Sequence, residues 1–396
     1  MGKQPSGPLS DIKVLDLSRI LAGPSATQLL GDLGADVVKV ERPGLGDDTR
    51  SWGPPYVKDA DSNDTTESGY FLSANRNKRS LAVDITDPEG ADLIKELAKK
   101  ADVFIENFKV GGLKKYGLSY DDLKQINPSL IYCSITGFGQ TGPNAHRAGY
   151  DIMVQGYGGI MSLTGPVDGE PYKVGVAIAD VMTGMYSVTG ILAALRHRDK
   201  TGEGQHIDIS LVDTQVSWLV NQGVNYLLNE EVPKSVGNGH PNIVPYQVFA
   251  TADGHIIIAI GNNTQFAAFV DLLGLGHLAD DARFATNPAR IEHRDVIIPM
   301  LEDAIKHIPR DDLLEKCEAR GVPAGPVNTL EDVFSTSQVS ARDMVVKMDY
   351  EAAGSGSINV IGNPLKMSAT PPDYRRPPPR CGEHNDEVIA DWLGKD

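Results

Sequence analysis

The sequence predicts an α/β protein: a parallel sheet covered by helices, joined to a smaller α+β region. Three observations predict it. Over roughly the first 140 residues, short apolar runs alternate with stretches of helical periodicity, the pattern of strands linked by helical crossovers. The carboxyl ends of those runs open into segments rich in Gly, Pro and polar residues. After Pro233 the pattern changes to a hairpin followed by helices.

Taken in order, residues 12–17 are an apolar run. Ala26, Leu29, Leu30 and Leu33 follow at i, i+3, i+4, i+7, one face of a helix. Asp36–Glu41 (DVVKVE) reads as a second strand. Asp87-Pro88 opens a helix in the order cap then Pro, with Leu93, Ile94 and Leu97 on its inner face. Residues 102–106 and 130–135 are further strands, and 151–175 a Gly-rich crossing segment. Residues 181–198 form an apolar helix closed by Lys200-Thr-Gly-Glu-Gly204, 206–211 a strand, and 213–228 an amphipathic helix capped by Asp213. Tyr246–Ala250 and residues 255–260 flank an Asp253-Gly254 turn, the signature of a hairpin. Helices at 264–273, 293–307 and 311–320 complete the smaller region, and 371–379 is a proline-rich extended tail.

In an open α/β sheet, ligands gather outside the carboxyl ends of the strands. Those ends are residues 18–24, 41–53, 107–112 and 136–143, so a binding edge is expected there.

Charge narrows the function. Lys and Arg number 37 against 53 Asp and Glu, a net charge of −16, which argues against a nucleic-acid surface. Cys133, Cys317 and Cys381 lie far apart, so neither a disulfide framework nor a zinc knuckle is expected and a reducing compartment is the default. No unbroken run reaches the ~18 apolar residues of a spanning helix, so no membrane is expected. The polar N-terminus, with Pro5 and Pro8, reads as a loose leader despite a short Met1-Gly2…Ser6 myristoylation pattern, and the cytoplasm is the expected location.

Gly137-Phe-Gly139-Gln-Thr-Gly142 is a literal GxGxxG after a strand. Residues 143–149 offer no helix to follow it, and no acidic residue ends a strand about 20 residues on, so a dinucleotide site lacks its context. Nine histidines show no metal-ligand spacing, so no metal is expected. His146, His206 and His255 read as structural or surface residues, and Cys133 as a small buried one. Arg76-Asn-Lys-Arg79, with Lys99, Lys100, Lys109, Lys114 and Lys115, is either a solvated helix face or the site of a phosphate-bearing ligand. Asp180, just ahead of an apolar helix, is either an ordinary cap or a nucleophile whose pKa the helix N-terminus holds low. Composition does not choose.

The ordered segments do. Val14-Leu-Asp-Leu-Ser-Arg-Ile-Leu-Ala-Gly-Pro24, Gly34-Ala-Asp-Val-Val-Lys-Val-Glu-Arg-Pro-Gly44, Gly46-Asp-Asp-Thr-Arg50 and Asn75-Arg-Asn-Lys-Arg-Ser80 come first. Asp102-Val-Phe-Ile-Glu-Asn-Phe108, Gly137-Phe-Gly-Gln-Thr-Gly-Pro143, Arg147-Ala-Gly-Tyr-Asp151, Lys200-Thr-Gly-Glu-Gly-Gln205 and Gly321-Val-Pro-Ala-Gly-Pro326 follow. Together they resemble the class III coenzyme A transferases from about Pro8 to His384. The resemblance implies a doubly wound, Rossmann-like large domain (1–228, completed by 329–396), a small α+β domain (229–328) and an interlocked homodimer. It implies that Asp180 is the catalytic aspartate, passing through aspartyl anhydride and aspartyl-CoA intermediates. No permanently bound cofactor is implied; coenzyme A and acyl-CoA are substrates. By the same resemblance Ile20, Leu21 and Ala22 border the CoA pocket, Arg42 meets phosphates or adenine, Val83, Thr86, Asn107 and Phe108 line it, and Lys115 serves a phosphate. The detailed wording is similar to the branch exchanging CoA among dicarboxylates, with Arg19, Arg50 and Arg147 as candidates for a distal carboxylate. Gly237 and Gly239 stand where members acting on oxalate carry a longer glycine lid, and the two glycines permit motion. The competing α-methylacyl-CoA racemase pattern places a His base where this chain has Tyr150, a phenol too weakly basic at neutral pH; His146 lies four residues earlier. A non-catalytic acyl-CoA binder, or an oxidoreductase using the GxGxxG, are the readings from other classes.

Overall fold

A computed structural model describes residues 6–395, so the Met1-Gly2 pattern and the start of the expected leader lie outside the described residues. The chain forms two compact units. The first takes the residues up to Ile160, Lys173–Glu230 and the chain from Gln338; the second takes Met161–Tyr172 and Glu231–Ser337.

The first unit is built on β1 (Lys13–Asp16), α1 (Ala22–Asp32), β2 (Asp36–Glu41), β3 (Lys78–Ala82), α2 (Pro88–Ala98), β4 (Val103–Glu106), β5 (Ile131–Thr136), α3 (Asp151–Tyr157), α4 (Ile178–Thr201) and β6 (His206–Ser210). All six strands are parallel, in the order β3-β2-β1-β4-β5-β6. Successive side chains of a strand point to opposite faces, and here both faces are apolar. Val14, Val37, Ile105 and Cys133 pack with Ala26 and Leu30 of α1 and with Val188 and Ile191 of α4. Leu15, Val38, Phe104 and Tyr132 pack with Ile94 and Leu97 of α2 and with Val388 and Trp392 of the C-terminal helix Asn385–Leu393. The sheet is therefore wound on both faces, as expected. Its strand order reverses between β1 and β4, the switch point at which such sheets open a crevice.

Helix α4 carries Asp180 in its first turn and ends at Gly202 in the left-handed conformation, φ 79°. It runs close to α1: a Cβ on Gly184 would come within 2.7 Å of the Ala22 carbonyl oxygen. By length and composition alone α4 would also suffice to cross a membrane, although Asp180, Thr183, Ser187 and Thr189 interrupt its apolar run. Its hydroxyls turn back onto the helix, Thr183 donating to Ala179 O at 2.7 Å and Ser187 to Thr183 O at 2.8 Å. One face, with Ala179, Ile191 and Leu195, lies in the core.

Other departures have local causes. The basic Arg76–Arg79 segment is neither a helix face nor a surface: it leads into and begins β3, with Arg76, Lys78 and Arg79 buried in ion pairs. The crossing segment contains α3. The helix expected at 213–228 is two, Leu211–Ser217 and Val220–Asn229, and Ser210 rather than Asp213 caps the first, its hydroxyl accepting from Asp213 N at 3.0 Å.

The second unit holds an antiparallel sheet in which His255–Ala259 lies between Tyr246–Ala250 and Ala324–Pro326. Phe249, Ile256 and Ile258 pack on Phe266, Phe269 and Leu301 from its helices Asn263–Leu272 and Arg294–Ile305. An α+β unit was expected from this stretch. Gly237, with φ +61°, and Gly239 lie in a turn of this unit ahead of the sheet.

Candidate active site

Asp16 ends β1, and the chain must then turn into α1. Ser18 N donates to Asp16 at 2.8 Å, and Ile20 takes φ +72°. On the far side of the switch point, β4 ends at Glu106. Its carboxylate accepts from Phe108 N at 2.7 Å, and burial pushes its pKa up to about 7. The two loops are tied together by Asn107, which accepts from Arg19 N at 2.9 Å and donates to Arg19 O at 2.7 Å.

These loops open into a cavity of about 700 Å³, lined by Arg19, Ile20, Leu21, Ala22, Asn107, Phe108, Lys115, Arg147, Tyr150 and Asp180, among others. A smaller cavity of about 230 Å³ takes in Arg42, Val83 and Thr86. Arg19 and Phe108 line both. The strand ends where a binding edge was expected thus carry two neighbouring cavities, at the carboxyl ends of β1 to β5.

One wall is made by a backbone crossing. A Cβ on Gly137 would lie 2.5 Å from Gly149 Cα, so only glycines let residues 145–150 pass across the end of β5. Gly139 and Gly142 take φ +86° and +88° in the loop between, and no helix starts there. The literal GxGxxG therefore serves turning and close approach.

The crossing leads to Asp151 at the start of α3. Its carboxylate accepts from Ala179 N at 2.8 Å and more distantly from Asp180 N at 3.4 Å, and takes a bond from Gln155 Nε2 at 2.7 Å. It thereby caps α4 from outside, where the cap residue Ala177 has no side chain to do so. Burial, and secondly the Asp151 charge, push the Asp180 carboxyl up to about 7. This corrects the expectation of a low value. The N–H groups that would stabilise an anion are already given to Asp151, and that residue adds a like charge. Motif reading marked Asp151 only as part of a match; its spacing from Asp180 carries no signal without the fold.

The basic residues divide sharply. Arg147 lies over the rings of Phe138 (5.0 Å) and Tyr157 (5.8 Å), exposed to the larger cavity. Arg19 pairs with Asp48 at 2.8 Å, an exposed bond that a ligand anion can replace. Lys109 and Lys115 are exposed on the same wall. Arg50, expected to hold a substrate carboxylate, does not face either cavity: it is 5% exposed and bonded to Glu41, Glu67 and Pro379 O. Arg76 is likewise given to Asp32 at 2.6 Å, and Arg79 to Asp36, Glu387 and Asp391. Those residues hold the fold, and the positive charge at the cavities comes from Arg19, Arg42, Lys109, Lys115 and Arg147. Trp52, Lys109, His146 and Tyr116 also line the larger cavity; in the sequence Lys109 belongs to the basic cluster weighed as a phosphate site, His146 reads as structural, Trp52 appears only within a family match, and Tyr116 carries no signal.

A doubly wound sheet whose switch-point crevice sets an acidic residue among cationic side chains is the frame of an enzyme site for anionic ligands, and the chain belongs to CoA-transferase family III, whose model matches residues 9–385. It is therefore an enzyme of the class III CoA-transferases, which use CoA thioesters as substrates. The succinate–glutarate CoA-transferase of Agrobacterium fabrum is 51% identical over 384 residues, 97% of this chain and 95% of that one. The succinyl-CoA:glutarate CoA-transferase of Homo sapiens is 45% identical over 389 residues, 98% and 87%. Among solved structures, a CAIB/BAIF family protein from Brucella suis is 50% identical with a TM-score of 0.87, covering 98% of this chain and 100% of that one.

Proposed function

We propose that this enzyme moves coenzyme A from succinyl-CoA, or another dicarboxyl-CoA, to a dicarboxylic acid such as glutarate, with Asp180 as the nucleophile. The observation that carries the reading is the meeting of Asp180 with Arg19 and Arg147 on one cavity. A carboxylate nucleophile and cations for a distal carboxylate are what a dicarboxyl thioester requires. The two relatives that act on succinyl or glutaryl groups support the substrate class.

The ionised Asp180 attacks the thioester carbonyl; the C–S bond breaks, CoA thiolate leaves and an aspartyl–acyl anhydride forms. The thiolate attacks the aspartyl carbonyl of that anhydride, releasing the donor acid and leaving an aspartyl-CoA thioester. The acceptor carboxylate displaces CoA thiolate from it to give a second anhydride. The thiolate then attacks the acceptor's acyl carbon, and Asp180 is regenerated. Thioester energy is conserved because no step admits water. The smaller cavity, with Arg42, Val83 and Thr86, suits the adenine end of CoA. Lys115 suits a phosphate, while Ile20, Leu21, Ala22, Asn107 and Phe108 suit the arm leading to Asp180. The enzyme acts in this reading as a cytoplasmic homodimer; the helix Val220–Asn229 buries none of its residues within the chain, with Leu227 and Leu228 78% and 79% exposed.

The test is mass spectrometry after incubation with succinyl-CoA. A hydroxylamine-sensitive adduct on the Asp180 peptide is expected, together with exchange to glutarate that Asp180→Ala abolishes. Full exchange in D180A, or turnover of monocarboxylates alone, would sink the reading.

A further inference from the structure

The turn between β1 and α1 is held almost wholly by side chains. Ser18 O accepts from Lys39 Nζ at 3.0 Å, and Asn107 takes both backbone polar groups of Arg19. Ile20 N donates to both carboxylate oxygens of Asp47, each at 3.3 Å. Ile20 needs such a hold, because its φ of +72° is a conformation that a β-branched side chain rarely adopts. Asp47 is itself anchored. It pairs with Lys39 at 2.8 Å, with both side chains at or below 1% exposure, and accepts from Thr49 N and Oγ1.

A buried ion pair is a poor way to gain stability compared with apolar packing, so its retention behind a cavity wall points to geometry. Asp47 borders the smaller cavity but is only 2% exposed, which leaves it little surface for a ligand. Its reach is through the backbone of Ile20, flanked by Arg19 and Leu21, which line the larger cavity.

We infer that Asp47 is a positioning residue for coenzyme A recognition: anchored by Lys39, its carboxylate holds the Ile20 N–H and keeps Ile20 in the left-handed conformation that places Arg19, Ile20 and Leu21 on the cavity wall. The inference rests on the cavity being the CoA site. It assigns the Lys39–Asp47 pair to preorganisation, since a wall already in its bound shape has no ordering cost at binding.

The experiment is a double-mutant cycle on the full chain, D47A, I20G and both, read by calorimetric titration with coenzyme A, by steady-state kinetics, and by amide hydrogen exchange at residues 17–22 without ligand. D47A is expected to raise Kd and the acyl-CoA KM about tenfold with kcat within about twofold, and to speed exchange at Ile20. Glycine adopts positive φ freely, so D47A in the I20G background is expected to cost about threefold or less. Equal losses in both backgrounds, or unchanged affinity and exchange in D47A, overturn the inference. Should D47A not fold, D47N keeps an acceptor for the Ile20 N–H and is expected to stay within about threefold of wild type. A tenfold loss in D47N with exchange at Ile20 unchanged overturns it. A wild-type chain that binds no coenzyme A overturns the functional reading instead, whereas binding that D47A fully retains overturns only this inference.

Discussion

Asp180 is a carboxylate poised near neutrality, and its reactivity is predicted to follow. With Asp180 as the proposed nucleophile it is the ionised form that reacts, so kcat/KM for acyl-CoA is expected to rise with pH through about 7. Asp151→Asn removes one cause of the raised value while keeping an acceptor for Ala179 N. The acid limb is then expected to move down by on the order of one pH unit, read from a pH–rate profile. Stability runs the other way. Above the ordinary carboxylate pKa of 3.8 the unfolded chain loses this proton, while the folded chain keeps it up to about 7. Folding stability therefore falls as pH rises through that window. Asp180→Asn is expected to match wild type near pH 4 and to melt roughly 2–4 °C higher at pH 8, a gain of about 1 kcal/mol measured by calorimetry. Family motifs made Asp180 visible in the sequence, but local rules gave its pKa the wrong direction. The helix donors that would have lowered it serve a residue 29 positions away.

At the scale of elements, the Gly137–Gly149 crossing joins packing to function. Gly137→Ala puts a methyl 2.5 Å from Gly149 Cα. The expected cost is about 2 kcal/mol, seen as a fall of roughly 4–8 °C in Tm, with a raised KM as Arg147 and Tyr150 shift. The strands rich in Val and Ile were legible because both of their faces are apolar. β3 was not, because its buried Lys78 and Arg79 look like surface until Asp16, Asp36 and Asp391 are brought to them by the fold. The same blindness put Arg50 in the substrate site. Charge in a sequence signals exposure only when no partner is waiting in the core. The break between Leu211–Ser217 and Val220–Asn229 lay inside one continuous apolar periodicity, so no sequence signal marked it.

For the whole molecule, a net charge of −16 has to be reconciled with an anionic substrate. The reversal is local, at Arg19, Arg42, Lys109, Lys115 and Arg147, of which Lys115 is exposed and free to reach a phosphate. Lys115→Ala is expected to raise the KM for acyl-CoA by about five- to tenfold at low salt. The gap should narrow towards about twofold at 0.5 M salt, since exposed charge is screened there. An unchanged salt profile would remove Lys115 from the site. The first unit has one more consequence. It is assembled from three stretches of chain, and the last of them supplies Val388 and Trp392 to one face of the sheet and Glu387 and Asp391 to Arg79. A ribosome adding about 5–20 residues each second has therefore released most of the chain before that face can close. Until then that face, already covered in part by Ile94 and Leu97 of α2, lacks Val388 and Trp392, and the final helix acts as the latch that completes it.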